Sequence, residues 1–301
     1  MPAPANWREF PTYPITVGTM VFATAVTVAW WGFNVDVSPL LASAEIRRGE
    51  LWRLVTDIFP HGGTLHLVFN LYWTWIFGTM IEQVLGHFKT AALFLLFAVG
   101  ASALEFAFLH GGIGLSGVGY GLFGFLWIAS RWDDRFRDVV DQRTVVTFLL
   151  WFVFCIVATV TNLMPVANLE HGGGLVLGVL TATAMAIPNR RLLAITALVA
   201  VLSFALWGAT IGRPRVNVTG KAGYEEGRWG YLALVANHNE EAVRWFRDAT
   251  AFQPDYAVYW YDLGIAYGRL GKIGPAAAAF QRAHDLEPDN PDYSEFVKEK
   301  P

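Results

Sequence analysis

Apolar residues fall into seven long runs over the first 211 positions, at about 15–33, 64–84, 89–109, 115–130, 145–164, 169–187 and 191–211. Runs of this length with few charges predict membrane-spanning helices. The first run matches a signal peptide in length. Its flank is barely basic, with Arg8 beside Glu9, and no small-residue cleavage site precedes Asn34, so it reads as a first transmembrane helix. Between the first and second runs, Ser38-Pro39-Leu40-Leu41 and Glu50-Leu51-Trp52-Arg53-Leu54-Val55 mix charges with large apolar side chains, which predicts an interfacial, partly helical segment. The fourth run is the shortest. It opens at Gly114-Leu115-Ser116-Gly117 and ends near Arg131, about 15–16 residues against the ~20 that cross a hydrocarbon core. Its N-terminus is therefore expected below one membrane surface, preceded by the loop Gly111-Gly112-Ile113. Irregular backbone at that depth is tolerated only against protein or a water-filled cavity.

After Ile211 the pattern changes. Gly212-Arg213-Pro214-Arg215 opens a short linker, and from about Lys221 the chain is charged and amphipathic. Phe246, Ala249 and Pro254 recur as Phe280, Ala283 and Pro288, each 34 positions later. The second copy reads Trp260-x2-Leu263-Gly264-x2-Tyr267, then Ala276 and Phe280, and resembles the tetratricopeptide signature, a helix–turn–helix whose small residues let helices approach closely. The first copy is degenerate, with Glu226 at the tryptophan position and Ala233 at the tyrosine position. Pro291 to Lys298 is expected to add a capping helix. Two repeats and a cap are few for a stable array, which needs ~3, so docking on the membrane part or dimerisation is the expected compensation.

The expected fold is thus all-α: a polytopic membrane helical bundle followed by a small α-helical repeat domain. The expected divisions are an N-terminal tail 1–14, a six-span core 15–190, a seventh span 191–212, a linker 213–221 and repeats over 222–301. Composition agrees, with 54% hydrophobic and 16% charged residues and a mean hydropathy of +0.37. A net charge of −3 offers no basic surface for nucleic acid. The single cysteine, Cys155, excludes an intrachain disulfide. If the N-terminus is cytoplasmic, the inner segments carry Arg8, Lys89, Arg131, Arg135, Arg137, Arg143, Arg190 and Arg191, while the outer loops carry Arg47, Arg48 and Arg53. Arg213, Arg215 and Lys221 in the tail weaken that contrast. The positive-inside rule favours this orientation, with Ser116 and the tail toward the extracytoplasmic side.

Polar side chains inside spans are costly, roughly 2.5–3.5 kcal/mol for a charge at the bilayer centre, and so carry information. The second run opens His61-x4-His66-x3-Asn70, placing His66 and Asn70 on one helix face. The sixth carries Glu170-His171-Gly172-Gly173-Gly174 and Gly178; its glycines suit the small face made by Gly117, Gly121 and Gly124 on the fourth. Contact between these two helices would bring His171 to Ser116. A serine hydroxyl is a weak nucleophile until a base takes its proton, and His171 is the candidate base. Attack on a carbonyl makes an oxyanion that needs fixed donors. The Ser116 N–H at a helix N-terminus is one such donor, and the side chains of His66 and Asn70 are others. Tyr120, one turn on, is placed to pack on the imidazole. No aspartate is marked as a third member, so a Ser–His dyad is expected. The pattern is not the Gly-x-Ser-x-Gly elbow, because Val118 holds the last position.

Together Trp52-Arg53, His61-x4-His66-x3-Asn70, Glu82, Gly114-Leu115-Ser116-Gly117 with Tyr120, and His171-x2-Gly174-x3-Gly178 resemble the rhomboid family of intramembrane serine proteases over about residues 15–190. The resemblance implies six core spans, Ser116 as nucleophile, His171 as general base, and His66, Asn70 and the Ser116 amide as oxyanion stabilisers. It places Trp52 and Arg53 in a membrane-embedded first loop. It implies single-pass transmembrane proteins as substrates, the lipid bilayer as surroundings, no cofactor, and a cell membrane such as the bacterial inner membrane. Glu170 departs from the family, in which a small residue usually precedes the histidine, and this could alter the pH dependence. The seventh span and the repeats lie outside the shared core. The repeats are expected to bind a peptide or protein partner.

Taken singly, these residues have plainer readings. Ser116 alone is a packing serine, Trp52-Arg53 an interface anchor, and Glu82 a structural hydrogen-bond partner rather than an acid catalyst. Two other functions stand beside the protease. One is a catalytically silent, rhomboid-like scaffold that binds membrane clients and presents the repeats; the intact serine and histidine argue against it. The other is a metalloenzyme using His61, His66 and His171, for which no His-Glu-x-x-His motif is present.

Overall fold

A computed structural model describes residues 7–293 apart from 138, 221 and 222. The chain forms two compact units that divide between Gly212 and Arg213. The described residues are helical or irregular, with no strand among them.

The first unit opens with α1 (Pro14–Phe33), followed by the single turns Ser38–Leu40 and Ala44–Arg48 and the short α2 (Arg53–Thr56). Pro14 starts α1, where its missing N–H costs nothing, and Asn34 ends it in the left-handed region at φ 52°. Then come α3 (Thr64–Trp73), a wider π-turn over Thr74–Gly78, and α4 (Thr79–Leu85). α5 (His87–Phe108), α6 (Ser116–Trp132), α7 (Gln142–Val160), α8 (Asn168–Ala186) and α9 (Arg191–Ala209) complete the unit. Every apolar run thus becomes a helix, the second with the π-turn inside it.

Four of these helices are long and apolar enough to cross a membrane: Pro14–Phe33, His87–Phe108, Gln142–Val160 and Pro188–Ala209. The other three expected spans differ locally. α3, the π-turn and α4 form one unbroken helical run over 64–85, with the single wider turn inside it. α6 has 17 residues, roughly 25 Å at 1.5 Å per residue. α8 is diluted by Asn168, Glu170, His171 and three successive glycines. Large apolar side chains such as Phe33, Leu65, Phe88, Leu150 and Leu192 lie on the outside of the unit. A water-soluble surface would not tolerate so many, and lipid-facing helices require them.

α6 is the hub. Leu122, Phe123, Phe125 and Leu126 are all buried, so the helix is enclosed on every side. Phe123 stacks on Phe148 of α7 at 4.4 Å between ring centroids and on its own Trp127 at 5.8 Å. α6 packs most extensively against α8. The contact is nearly backbone to backbone: a Cβ added at Gly174 would lie 2.1 Å from the Gly117 carbonyl oxygen, and one at Gly178 would lie 2.1 Å from that of Gly121. Two glycine pairs four residues apart thus face each other, as close helix crossings in lipid require.

Two polar anchors hold the outer parts to this centre. The buried Glu82 carboxylate on α4 accepts the N–H groups of Ile15 and Thr16 at 3.0 and 2.9 Å, the Thr16 hydroxyl at 2.7 Å and His87 Nδ1 at 2.7 Å. It supplies the N-terminal cap that α1 lacks locally. Arg53 is buried, and its guanidinium donates to the carbonyls of Ser38 and Leu41 at 2.7 and 3.1 Å and to Glu50 at 2.7 Å. The expected interfacial segment is therefore fixed by a cation bonded to its own carbonyls, while the neighbouring Trp52 is exposed.

The second unit consists of α10 (Arg213–Val216), α11 (Tyr224–Val235), α12 (Asn239–Phe252), α13 (Ala257–Arg269) and α14 (Ile273–Leu286). The 34-residue period is visible in its packing. Phe246 covers Gly230 with 2.8 Å to an added Cβ, and Phe280 covers Gly264 with 2.6 Å. Glu226, at the degenerate tryptophan position, is buried and accepts the Gly223 N–H at 3.1 Å. The capping helix expected over 291–298 falls, from residue 294 on, outside the described residues.

Asp262 on α13 is half-buried, and desolvation pushes its carboxyl up to about 6 from 3.8. Its protonated form is favoured by folding, so its cost is absent below about pH 4 and complete above about pH 6. Asp262→Asn is expected to raise the thermal midpoint of this unit by a few degrees at neutral pH and to leave it unchanged near pH 4. Circular dichroism melts at the two pH values measure this.

Candidate active site

The site is built where the N-terminal ends of α6 and α8 meet the start of α3. The loop before α6 turns on Gly111 at φ +93° and Gly114 at φ +99°. Gly114 has a second constraint, because a Cβ there would lie 2.7 Å from Cε1 of His66. Its N–H donates to the Asp57 carbonyl at 3.1 Å. The next N–H, that of Leu115, donates to Nε2 of His61 at 3.2 Å, and Nδ1 of His61 meets the Phe59 carbonyl at 2.9 Å. The two bonds together require a neutral ring with its proton on Nδ1. His61 is thus a buried strut of the serine loop, with both nitrogens engaged by protein and neither left for a metal.

Ser116 follows as the first residue of α6 and is partly exposed. Its N–H is among those a helix leaves unpaired at its start. His66 and Asn70 share one face of α3, as their spacing predicts. His66 lies against Gly114, and its ring centroid is 4.9 Å from that of His61. Asn70 is buried with no partner for Nδ2, which leaves a desolvated donor.

His171 sits on the first turns of α8. Its ring stacks on Tyr120 at 4.7 Å and 26°, and the Tyr120 hydroxyl donates to the Phe148 carbonyl at 3.2 Å. The expected stacking of Tyr120 on the imidazole is therefore present, one turn beyond Ser116. His66 is near enough to His171 for their charges to interact. Nδ1 of His171 is buried without a partner, and no hydrogen bond joins Ser116 to His171 among the described residues. Gly174 and Gly178 fix the depth of α8 against α6 and hence the height of the imidazole. Trp52, Arg53 and Glu82 lie outside this cluster, in the anchors described above.

Two buried carboxyls were not legible as part of the site. Glu105 on α5 accepts the N–H groups of Leu169 and Glu170 at 3.0 Å each and caps α8. Asp57 accepts the Ser102 hydroxyl at 2.9 Å. A carboxylate inside the apolar run 89–109 is the signal that marks Glu105.

Comparisons with known proteins match two parts of the chain. Residues 48–188 match the Rhomboid domain and residues 257–290 the Tetratricopeptide repeat. The chain is 33% identical over 178 residues to the Rhomboid protease GlpG of Pectobacterium atrosepticum, covering 56% of this chain and 62% of that protein. It is 32% identical over 186 residues to that of Serratia proteamaculans, with the same coverages of 56% and 62%. It is 32% identical over 184 residues to that of Photorhabdus laumondii, covering 59% and 64%. The chain thus spans 62–64% of the length of these curated relatives. It is a multi-pass membrane protein built on a rhomboid domain, residues 48–188, with a tetratricopeptide repeat at residues 257–290.

Proposed function

We propose that this protein is an intramembrane serine endopeptidase that cleaves single-pass transmembrane proteins. Ser116 attacks the scissile carbonyl, and His171 takes its proton and later delivers it to the leaving amine. The Ser116 N–H, the Asn70 amide and the His66 ring stabilise the oxyanion. The observation that carries this reading is the glycine-to-glycine seating of α8 on α6, which lays the His171 ring on Tyr120, one turn from Ser116. A free enzyme whose base is not yet engaged is compatible with it, since such bonds tighten when substrate binds. The N-terminus is cytoplasmic on this reading. The repeats lie on the opposite side with the serine and recruit a peptide segment of the substrate or a partner.

The test is incubation of the detergent-solubilised full chain with a single-pass transmembrane substrate, followed by mass spectrometry of the products. Cleavage by wild type, absent in Ser116→Ala, is the expected result. No cleavage of any substrate by wild type would instead favour the client-binding scaffold. A chain lacking residues 222–301 is expected to lose cleavage of some substrates and keep others; unchanged cleavage of all of them would remove the recruiting role.

A further inference from the structure

The N-terminal ends of α6 and α8 enclose three carboxyls that the serine–histidine chemistry does not require. Glu105 is accounted for by its two backbone donors, the favourable setting of an anion at a helix start. Asp57 and Glu170 are not. Each is 1% exposed. Asp57 spends Oδ1 on the Ser102 hydroxyl, and its Oδ2 is buried without a partner. Glu170 turns one side of its carboxyl to the Gly117 N–H, and its Oε2 is buried without a partner. A Cβ at Gly112 would lie 2.0 Å from that Oε2, so the group is wedged between the serine loop and the serine helix. Asp57 and Glu170 are close enough for their charges to interact, and Glu105 adds to the same field.

Two buried carboxylates whose charges interact repel each other, and each here leaves one acceptor oxygen without a partner. One proton relieves both problems, because it removes one charge and turns one acceptor into a donor. The position of Glu170 gives this a use. Its neighbour in sequence is His171, and the amide it faces belongs to Gly117, the neighbour of Ser116. The Glu170 carboxyl therefore ties the turn that carries the base to the turn that carries the nucleophile. The titratable groups around it are Asp57 from the interfacial segment, Glu105 from α5, His171 beside it on α8 and, beyond that ring, His66 on α3; α6 presents the backbone of Gly117.

We propose that Asp57 and Glu170 together retain one proton at neutral pH, and that Glu170 is a positioning residue setting the first turns of α6 and α8 against each other. The second half rests on the proteolytic reading; the first does not.

Infrared spectroscopy of the full chain in detergent tests the first half at about pH 8, where exposed carboxylates are ionised. Wild type is expected to keep the carbonyl band of a protonated carboxylic acid, and the Asp57→Asn, Glu170→Gln double variant to lose it. A wild-type spectrum without the band, or a double variant that retains it, overturns the shared proton. Kinetics test the second half. Glu170→Ala is expected to lower kcat about tenfold or more with little change in KM, as a small misplacement of reacting groups does. Glu170→Gln, which keeps the shape and a donor, is expected to restore most of that loss. An alanine variant as fast as wild type, or a glutamine variant no better than alanine, overturns the positioning role. If wild type cleaves nothing, the protease reading has failed and the positioning role falls with it, while the infrared comparison still decides whether the proton is shared.

Discussion

Cleavage by Ser116→Ala is expected to fall at least about a thousandfold below wild type, and His171→Ala nearly as far. The reason is that, on the proposed mechanism, neither group acts alone. The hydroxyl holds its proton too tightly to attack a carbonyl unaided, and the imidazole has nothing to deprotonate once the hydroxyl is gone. Groups that work as a unit are not additive, so the double variant is expected to be no slower than the slower single one. Asn70→Ala is a separate case. Its buried, unpartnered Nδ2 has the character of an oxyanion donor, and its loss is expected to cost about 100- to 1,000-fold in kcat. Steady-state cleavage of a single-pass substrate, with thermal midpoints to show that each variant folds, measures all three. Ser116→Ala cleaving within about tenfold of wild type, or a double variant slower by the product of the two singles, would remove the dyad.

The long-range plan of the membrane unit was legible because lipid imposes simple rules. Apolar runs became helices, and the shortest run became the short α6 that starts at Ser116. The meeting of α6 and α8 was legible too, because rows of glycine have few other uses in such helices. What the sequence hid was contact between distant polar groups. Nothing local to Glu82 says that it caps α1, 66 and 67 positions earlier. The role of His61 as a strut for the Leu115 N–H depends on a loop turning back over 54 residues. The π-turn over Thr74–Gly78 escapes hydropathy altogether, since one widened turn leaves the apolar pattern intact. Glu170 was visible as a departure from the family, but its buried neighbours Asp57 and Glu105 come from two other segments.

Gly174→Ala and Gly178→Ala are expected to be among the most damaging single-methyl changes in the chain. At both positions the new Cβ would lie 2.1 Å from a carbonyl oxygen of α6, far inside van der Waals contact. The obstructing atoms are backbone, so no side chain can rotate away, and the helices must part. Overpacking of this kind costs about 1–3 kcal/mol, occasionally more, and in lipid no hydrophobic force presses the helices back together. Gly18→Ala is the control. It lies inside α1 with nothing within 4 Å of an added Cβ, and a helical glycine replaced by alanine gains up to about 1 kcal/mol from propensity. The expected pattern is therefore a lower thermal midpoint in detergent for the two α8 variants and an unchanged or higher one for Gly18→Ala. Cleavage should report the same displacement more sharply. His171 lies three residues before Gly174 on α8, and a shift of about 1 Å between base and nucleophile costs on the order of 100-fold. A Gly174→Ala variant that melts and cleaves like wild type would mean that α6 and α8 do not touch through these glycines, and the route by which His171 reaches Ser116 would go with it.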